Sequence, residues 1–209
     1  MPARPTLKVF EVFASIQGEG IRQGEPTLFI RLAGCDRRCS FCDTKYAWTG
    51  GRLFSAEEVV AKTRRLRRRY PARWACLTGG EPFMQDIRFL VRLLKKDRLH
   101  VQVETNGARY YSLAADWFSV SPKPAAYLVR PEFRRLAKEV KLVVTRDLNL
   151  SVIGRMRAAF PSRIPIILQP ESNRRWSQQR ALRLLRESLA AGFDHVRVSV
   201  QLQRILKVR

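Results

Sequence analysis

Apolar and polar positions along this 209-residue chain switch repeatedly between two periods. Residues 7–13 alternate, and 27–33 form a mostly apolar run; both read as strands. Further short apolar runs at 74–78, 100–104, 117–120, 140–144, 164–168 and 195–200 predict strands of the same kind. Helical spacing fills the gaps at 83–97, 131–138 and 148–159. One helix is predicted from Ser55 to about Tyr70, with Ser55 and Glu58 as a capping box. A last long helix is predicted to be capped by Ser177 and to end at Gly192. Each strand runs into a polar or glycine-rich turn, which argues an α/β fold with a mostly parallel sheet and helical crossovers. Roughly six strand–helix repeats are too few for a closed eight-stranded barrel of about 250 residues. The expectation is therefore an open, partial TIM-like barrel in a single domain over residues 1–209, with no repeat or linker. In such folds ligands sit beyond the carboxyl ends of the strands.

Composition narrows this little until charge is counted. There are 40 Lys plus Arg against 18 Asp plus Glu, a formal net charge of +22. Such a field concentrates anions or nucleic acid. The densest run, Arg64-Arg65-Leu66-Arg67-Arg68-Arg69, is read first as a solvated helix face, because no aromatic residues interleave as a stacking platform for RNA needs. No apolar run approaches the roughly 20 residues of a membrane span. The segment with Pro2, Arg4 and Pro5 has no signal-type apolar core, so a cytoplasmic location is expected. Four cysteines with one outlier, Cys76, do not suggest a disulfide framework. Cys76 is expected to be a core thiol, His100 to meet solvent and His195 to be structural.

The chemistry concentrates in Gly34-Cys35-Asp36-Arg37-Arg38-Cys39-Ser40-Phe41-Cys42-Asp43-Thr44. Thiolates are soft ligands that select zinc, copper or iron–sulfur clusters. A closed zinc site wants four ligands, which here would require Asp36 or Asp43. Three thiolates on a four-iron cluster leave one iron open to an outside ligand. The Cys-x3-Cys-x2-Cys spacing resembles the signature of the radical S-adenosylmethionine (SAM) superfamily, whose three cysteines hold a 4Fe-4S cluster and whose open iron is chelated by SAM.

Other stretches sharpen the resemblance. These are Ile16-Gln17-Gly18-Glu19-Gly20, Phe29-Ile30-Arg31-Leu32-Ala33-Gly34-Cys35 and Phe41-Cys42-Asp43-Thr44-Lys45-Tyr46-Ala47. Downstream come Thr78-Gly79-Gly80-Glu81-Pro82, Glu104-Thr105-Asn106-Gly107, Ser121-Pro122-Lys123, Leu168-Gln169-Pro170 and Arg197-Val198-Ser199-Val200-Gln201. Together, and in order, they resemble the 7-carboxy-7-deazaguanine synthase family. That resemblance implies a homodimeric radical SAM lyase that depends on magnesium. It converts 6-carboxy-5,6,7,8-tetrahydropterin to 7-carboxy-7-deazaguanine with loss of ammonia, drawing electrons from a carrier such as flavodoxin or ferredoxin.

The same resemblance assigns residues. Cys35, Cys39 and Cys42 would hold the cluster. Phe41, Cys42, Asp43, Gly80, Ser121, Pro122 and Lys123 would meet SAM, with Glu104 and Gln169. Thr44 would ligate magnesium, although by itself it reads as a turn hydroxyl. Ile16, Gln17, Gly18, Arg31 and Thr78 would bind substrate. The chemistry is consistent: a pterin edge needs paired donors and acceptors, which Gln17 offers, and a carboxylate suits a planar guanidinium such as Arg31. From the strand pattern alone, Arg31 lies either on a solvated face or in a site. One departure stands out. Many family members end in a motif like Val-Gln-Thr/Leu-His-Lys, whereas this chain reads Val200-Gln201-Leu202-Gln203-Arg204, so a C-terminal substrate contact is expected to differ. Two competing readings are an activating enzyme for a glycyl-radical partner and a basic metal-containing RNA module.

Overall fold

The computed structural model describes residues 6–209, so Pro2, Arg4 and Pro5 lie outside the described residues. The chain forms two compact units, each assembled from separated segments. The first takes residues up to Ile16, Glu25–Thr105 and Arg109–Trp117. The second takes Gln17–Gly24, Asn106–Ala108 and Phe118–Arg209.

In the first unit, β1 (Thr6–Ile16) and β2 (Pro26–Leu32) pair antiparallel. The short strand β3 (Arg52–Ser55), absent from the sequence pattern, pairs antiparallel with the start of β1. Helix α1 (Ala56–Arg69) follows with the predicted capping box: Ser55 Oγ accepts from the Glu58 N–H, and the Glu58 carboxylate accepts from the Ser55 N–H. β4 (Trp74–Gly79) lies parallel to β2, and after α2 (Arg88–Lys96), β5 (His100–Thr105) lies parallel to β4. Leu28, Ile30 and Leu32 alternate with Phe29 and Arg31, so one face of β2 is fully apolar. That face and Ala75, Leu77, Val101 and Val103 are buried, as are Val59 and Val60 of α1 and Leu90, Val91 and Leu94 of α2. Each fully buried leucine or valine contributes about 1.5–3 kcal/mol relative to exposure. On the opposite face Phe13, Phe29 and Cys76 form a separate apolar cluster, and Cys76 is a core thiol. His100 is exposed beside the Trp74 ring, as its position at a strand start suggested.

In the second unit β6 (Trp117–Val120) pairs parallel with β7 (Ala137–Val144), β7 with β8 (Ile166–Pro170) and β8 with β9 (Val196–Val198). One turn of helix, α3 (Phe133–Leu136), precedes β7. The crossovers are α4 (Leu150–Ala159), capped by Asn149, and α5 (Arg175–Ala190). A closing turn, α6 (Leu202–Ile205), was not foreseen. His195 opens β9 in a left-handed conformation and its carbonyl accepts from the Ile166 N–H, a structural role.

Three expectations about helix ends differ from the structure. The helix expected at 83–97 begins at Arg88. The Gln85 side chain instead holds extended backbone by bonding Lys8 and Ala33, and Asp86 Oδ1 accepts from the Arg88 N–H. The helix expected at 131–138 is only α3, because Ala137 already begins β7. Ser177 is not the cap of α5: it lies inside the helix, fully buried, with Oγ donating to the Val144 carbonyl and accepting from the Glu171 N–H. Its polarity serves a tertiary bridge from helix to strand end, which local sequence cannot distinguish from a cap.

Candidate active site

In the first unit the cysteine loop grows from the end of β2. Gly34 is held by its N–H on the Ala47 carbonyl and by its carbonyl accepting the Glu81 N–H at 2.8 Å. The Gly79-Gly80 pair is the other side of this junction. The Gly80 N–H donates to the Leu32 carbonyl at 3.0 Å. A Cβ on Gly80 would stand 1.7 Å from the Gly34 oxygen, and one on Gly79, at φ +114°, 2.2 Å from the Leu32 oxygen. The close approach that glycine permits is thus first of all to the stem of the chain's own cysteine loop. Buried Glu81 locks the turn, accepting from the Phe83 N–H and from the Thr105 hydroxyl at 2.7 Å.

Cys35, Cys39 and Cys42 are reduced thiols outside any disulfide, and all three are partly exposed. The Cys42 N–H donates to the Cys39 carbonyl, and the Thr44 N–H donates to Cys42 Sγ at 3.4 Å. Such N–H···S bonds tune a thiolate that carries iron. Among the described residues no three His, Cys, Asp or Glu side chains converge on a single ion. A cubane cluster makes a different demand, because each thiolate binds its own iron. Asp36, one candidate fourth zinc ligand, pairs with Arg109 at 3.0 Å, and Asp43, the other, accepts from the Thr44 hydroxyl at 2.9 Å. The donor set of three reduced thiols on one short loop fits an iron–sulfur cluster with an open position. Phe41 is half-buried in the same loop.

The face of β2 that carries Phe29, with its neighbours, gathers three further residues. Arg31 and Thr78 are register partners on β2 and β4, and the Thr78 hydroxyl donates to Glu104 of β5 at 2.9 Å. The Arg31 guanidinium gives Nε to Glu11 at 2.9 Å and lies 5.4 Å from the Phe13 ring centre and 5.7 Å from that of Tyr46. Its side chain is only 16% exposed, so the charge is largely shielded and does not lie on a solvated face. Glu11 was missed by sequence reading; a carboxylate opposite an inward arginine on the adjoining strand was the signal available. Ile16 ends β1, paired with Pro26.

The second unit carries the remainder. Gln17 is buried and its side-chain oxygen accepts from the Glu19 N–H. Gly18 lies under Gln203: a Cβ there would sit 1.7 Å from Gln203 Oε1, and its carbonyl accepts from the Leu202 N–H. Glu19 binds the Lys141 ammonium at 2.8 Å, the Gln201 amide at 2.8 Å and the Gln203 amide at 3.4 Å. Burial by itself would raise the Glu19 carboxyl, but the Lys141 charge and these donors outweigh it and hold it down to about 2. Lys123 Nζ donates to Ser121 Oγ at 2.6 Å, with Pro122 buried between them. Gln169 is 2% exposed, and neither its amide nitrogen nor its oxygen has a protein partner among the described residues. A buried, unsatisfied amide is costly unless a ligand or water completes it, which fits a polar cofactor such as SAM. Glu19, Lys141, Gln201 and Gln203 went unassigned in the sequence; only the Gly-Glu-Gly spacing and the altered C-terminal motif hinted at them.

Residues 29–202 match the Radical SAM superfamily. The 7-carboxy-7-deazaguanine synthase of Aquifex aeolicus is 33% identical over 95% of this chain and 93% of its own length. That of Escherichia coli K12 is 32% identical over 95% and 97%. The chain belongs to the 7-carboxy-7-deazaguanine synthase family. The crystal structure of QueE from Escherichia coli superposes with a TM-score of 0.78 at 28% identity, covering 94% of each chain. That match establishes the expected α/β fold, mostly parallel, open and crossed by helices. As a radical SAM lyase, a synthase of this family employs a 4Fe-4S cluster and SAM. No helix among the described residues is long and apolar enough to cross a membrane.

Proposed function

We propose that the chain converts 6-carboxy-5,6,7,8-tetrahydropterin to 7-carboxy-7-deazaguanine with loss of ammonia, acting as one radical SAM domain. The observation that carries this is family identity along nearly the whole chain. It favours a small-molecule lyase over a glycyl-radical activating enzyme or an RNA module.

Cys35, Cys39 and Cys42 hold the cluster in this reading. When bound, cluster and SAM supply a carbon radical that takes a hydrogen atom from the substrate; the protein supplies placement. Phe41, Cys42, Asp43, Gly80, Glu104, Ser121, Pro122, Lys123 and Gln169 are the SAM-binding residues in this reading. The buried Gln169 amide gains the partners it lacks. Ile16, Gln17, Gly18, Arg31 and Thr78 take the pterin. With Nε fixed on Glu11, the Arg31 plane cannot swing freely, and its terminal nitrogens receive the substrate carboxylate as a bidentate pair. Thr44 ligates magnesium: its hydroxyl beside the Asp43 carboxylate makes a hard oxygen pair of the kind magnesium accepts while filling other positions from substrate and water. The enzyme is a cytoplasmic homodimer served by an electron-carrier protein.

The test is anaerobic. The protein with reconstituted cluster, dithionite, SAM, magnesium and the carboxytetrahydropterin is followed by mass spectrometry for 5′-deoxyadenosine and 7-carboxy-7-deazaguanine. Both products are expected; deoxyadenosine without the deazaguanine would reject this substrate, and neither product would reject the activity.

A further inference from the structure

The cysteine loop carries a feature that cluster ligation does not require. Between the first and second cysteines stand Asp36, Arg37 and Arg38. Asp36 is neutralised by Arg109, whose own side chain is 53% exposed. Arg37 is half-buried and Arg38 is exposed, and neither makes an ion pair among the described residues. Lys45, just beyond the loop, is exposed as well. Two arginines and a lysine without a paired acid therefore surround the loop, on a chain already at +22. Because Arg37 and Arg38 lie between two ligands in sequence, any macromolecule that touches them is close to the cluster. Electron transfer requires that proximity, since tunnelling rates fall steeply with distance.

We propose that Arg37 and Arg38, supported by Arg109 and Lys45, form the docking surface for a small acidic one-electron carrier protein. This rests on the reading of Cys35, Cys39 and Cys42 as cluster ligands. In the step served, one electron leaves the carrier, which is oxidised by one electron, and the cluster is reduced by one. Complementary charge steers encounter and sets register more than it sets affinity, and guanidinium groups suit carboxylate partners. An RNA phosphate strand would also meet positive charge, but Phe41 in the loop is half-buried and the exposed Tyr46 ring beside Lys45 is packed against Phe10, so no open stacking platform accompanies the charge.

The experiment compares the anaerobic holoenzyme with Arg37→Glu/Arg38→Glu and with Arg68→Glu/Arg69→Glu, which alters net charge equally on exposed positions of α1. Cluster reduction is timed by stopped flow with reduced acidic flavodoxin and, separately, with reduced methyl viologen. Carrier binding is measured by calorimetry at low and high salt. The loop variant is expected to lose at least about tenfold in flavodoxin-driven reduction and to lose its salt dependence, since steering of this kind is worth roughly 10–10³. Viologen-driven reduction and SAM cleavage should be preserved in it, and the α1 variant should behave like the parent. Equal losses in both variants, an unchanged flavodoxin rate in the loop variant, or loop-dependent binding of a single-stranded RNA oligomer in place of the carrier would each overturn the proposal. A parent that forms no cluster, or cleaves no SAM with viologen, would instead sink the assignment of the three cysteines.

Discussion

Replacing Glu19 with Gln tests the hub that ties the Gln17-Gly18-Glu19 turn to β7 and the C-terminal segment. The Lys141 side chain is 6% exposed and that of Glu19 20%, so the pair is largely shielded from solvent. A carboxyl titrating at about 2 rather than 4.5 contributes about 3 kcal/mol of folding stability at neutral pH, at 1.36 kcal/mol per pH unit. The sign follows from the direction: the folded-state value is depressed, so the contribution is complete above about 4.5 and disappears as pH falls toward about 2. Glu19→Gln also takes the Glu19 charge away from the buried Lys141 ammonium, and removing one partner of a buried pair typically costs about 3–5 kcal/mol. For a chain of this length about 3 kcal/mol lowers Tm by roughly 6–12 °C. Anaerobic differential scanning fluorimetry from pH 3 to 8 reads both effects. The variant should melt well below the parent at pH 7, and the gap should close toward pH 3. The double variant Glu19→Gln/Lys141→Met, which removes both charges, should recover most of the loss. A Glu19→Gln protein melting within about 2 °C of the parent at pH 7 would refute the reasoning, as would a gap independent of pH.

Other expectations are narrower. Gly80→Ala cannot be accommodated without moving the Gly34 carbonyl, so it should destabilise by about 1–3 kcal/mol and lower iron content per chain, read by urea unfolding and iron assay. Ser177→Ala removes a bridge between the Glu171 N–H and the Val144 carbonyl in a fully buried position, and should cost about 1–3 kcal/mol with substrate KM unchanged. Arg31→Ala should raise the pterin KM at least about tenfold, consistent with loss of a charge-assisted pair, while SAM cleavage by the reduced cluster without substrate persists; loss of that cleavage too would make Arg31 structural.

Much of the fold was legible because its signals are local. The capping box at Ser55 and Glu58 involves groups three residues apart, and the alternation in β2 separates Leu28, Ile30 and Leu32 from Phe29 and Arg31 with no help from the rest of the chain. The cysteine spacing likewise states its chemistry within eight residues. What failed to show depended on partners distant in sequence. β3 exists because β1 offers an edge to Arg52–Ser55, and α2 starts late because Gln85 bonds to Lys8 and Ala33. Ser177 looks like a cap until β7 presents a carbonyl to it.

The candidate site divides in the same way. The sequence alone determined which residue types were present: three soft ligands, a fork-shaped cation in an apolar strand, a glycine pair and a Gly-Glu-Gly turn. Tertiary structure decided their states. Gly79 and Gly80 are glycines because backbone oxygens of Leu32 and Gly34 occupy the space a side chain would need. Arg31 faces inward because Glu11 meets it across an antiparallel register. Glu19 is held ionised because Lys141, 122 positions further along, arrives 2.8 Å away, and Gln203 fills the space over Gly18. Charge, burial and close approach are set by through-space distances of a few ångströms, and a linear pattern carries such distances only when both partners lie within a turn or two of chain.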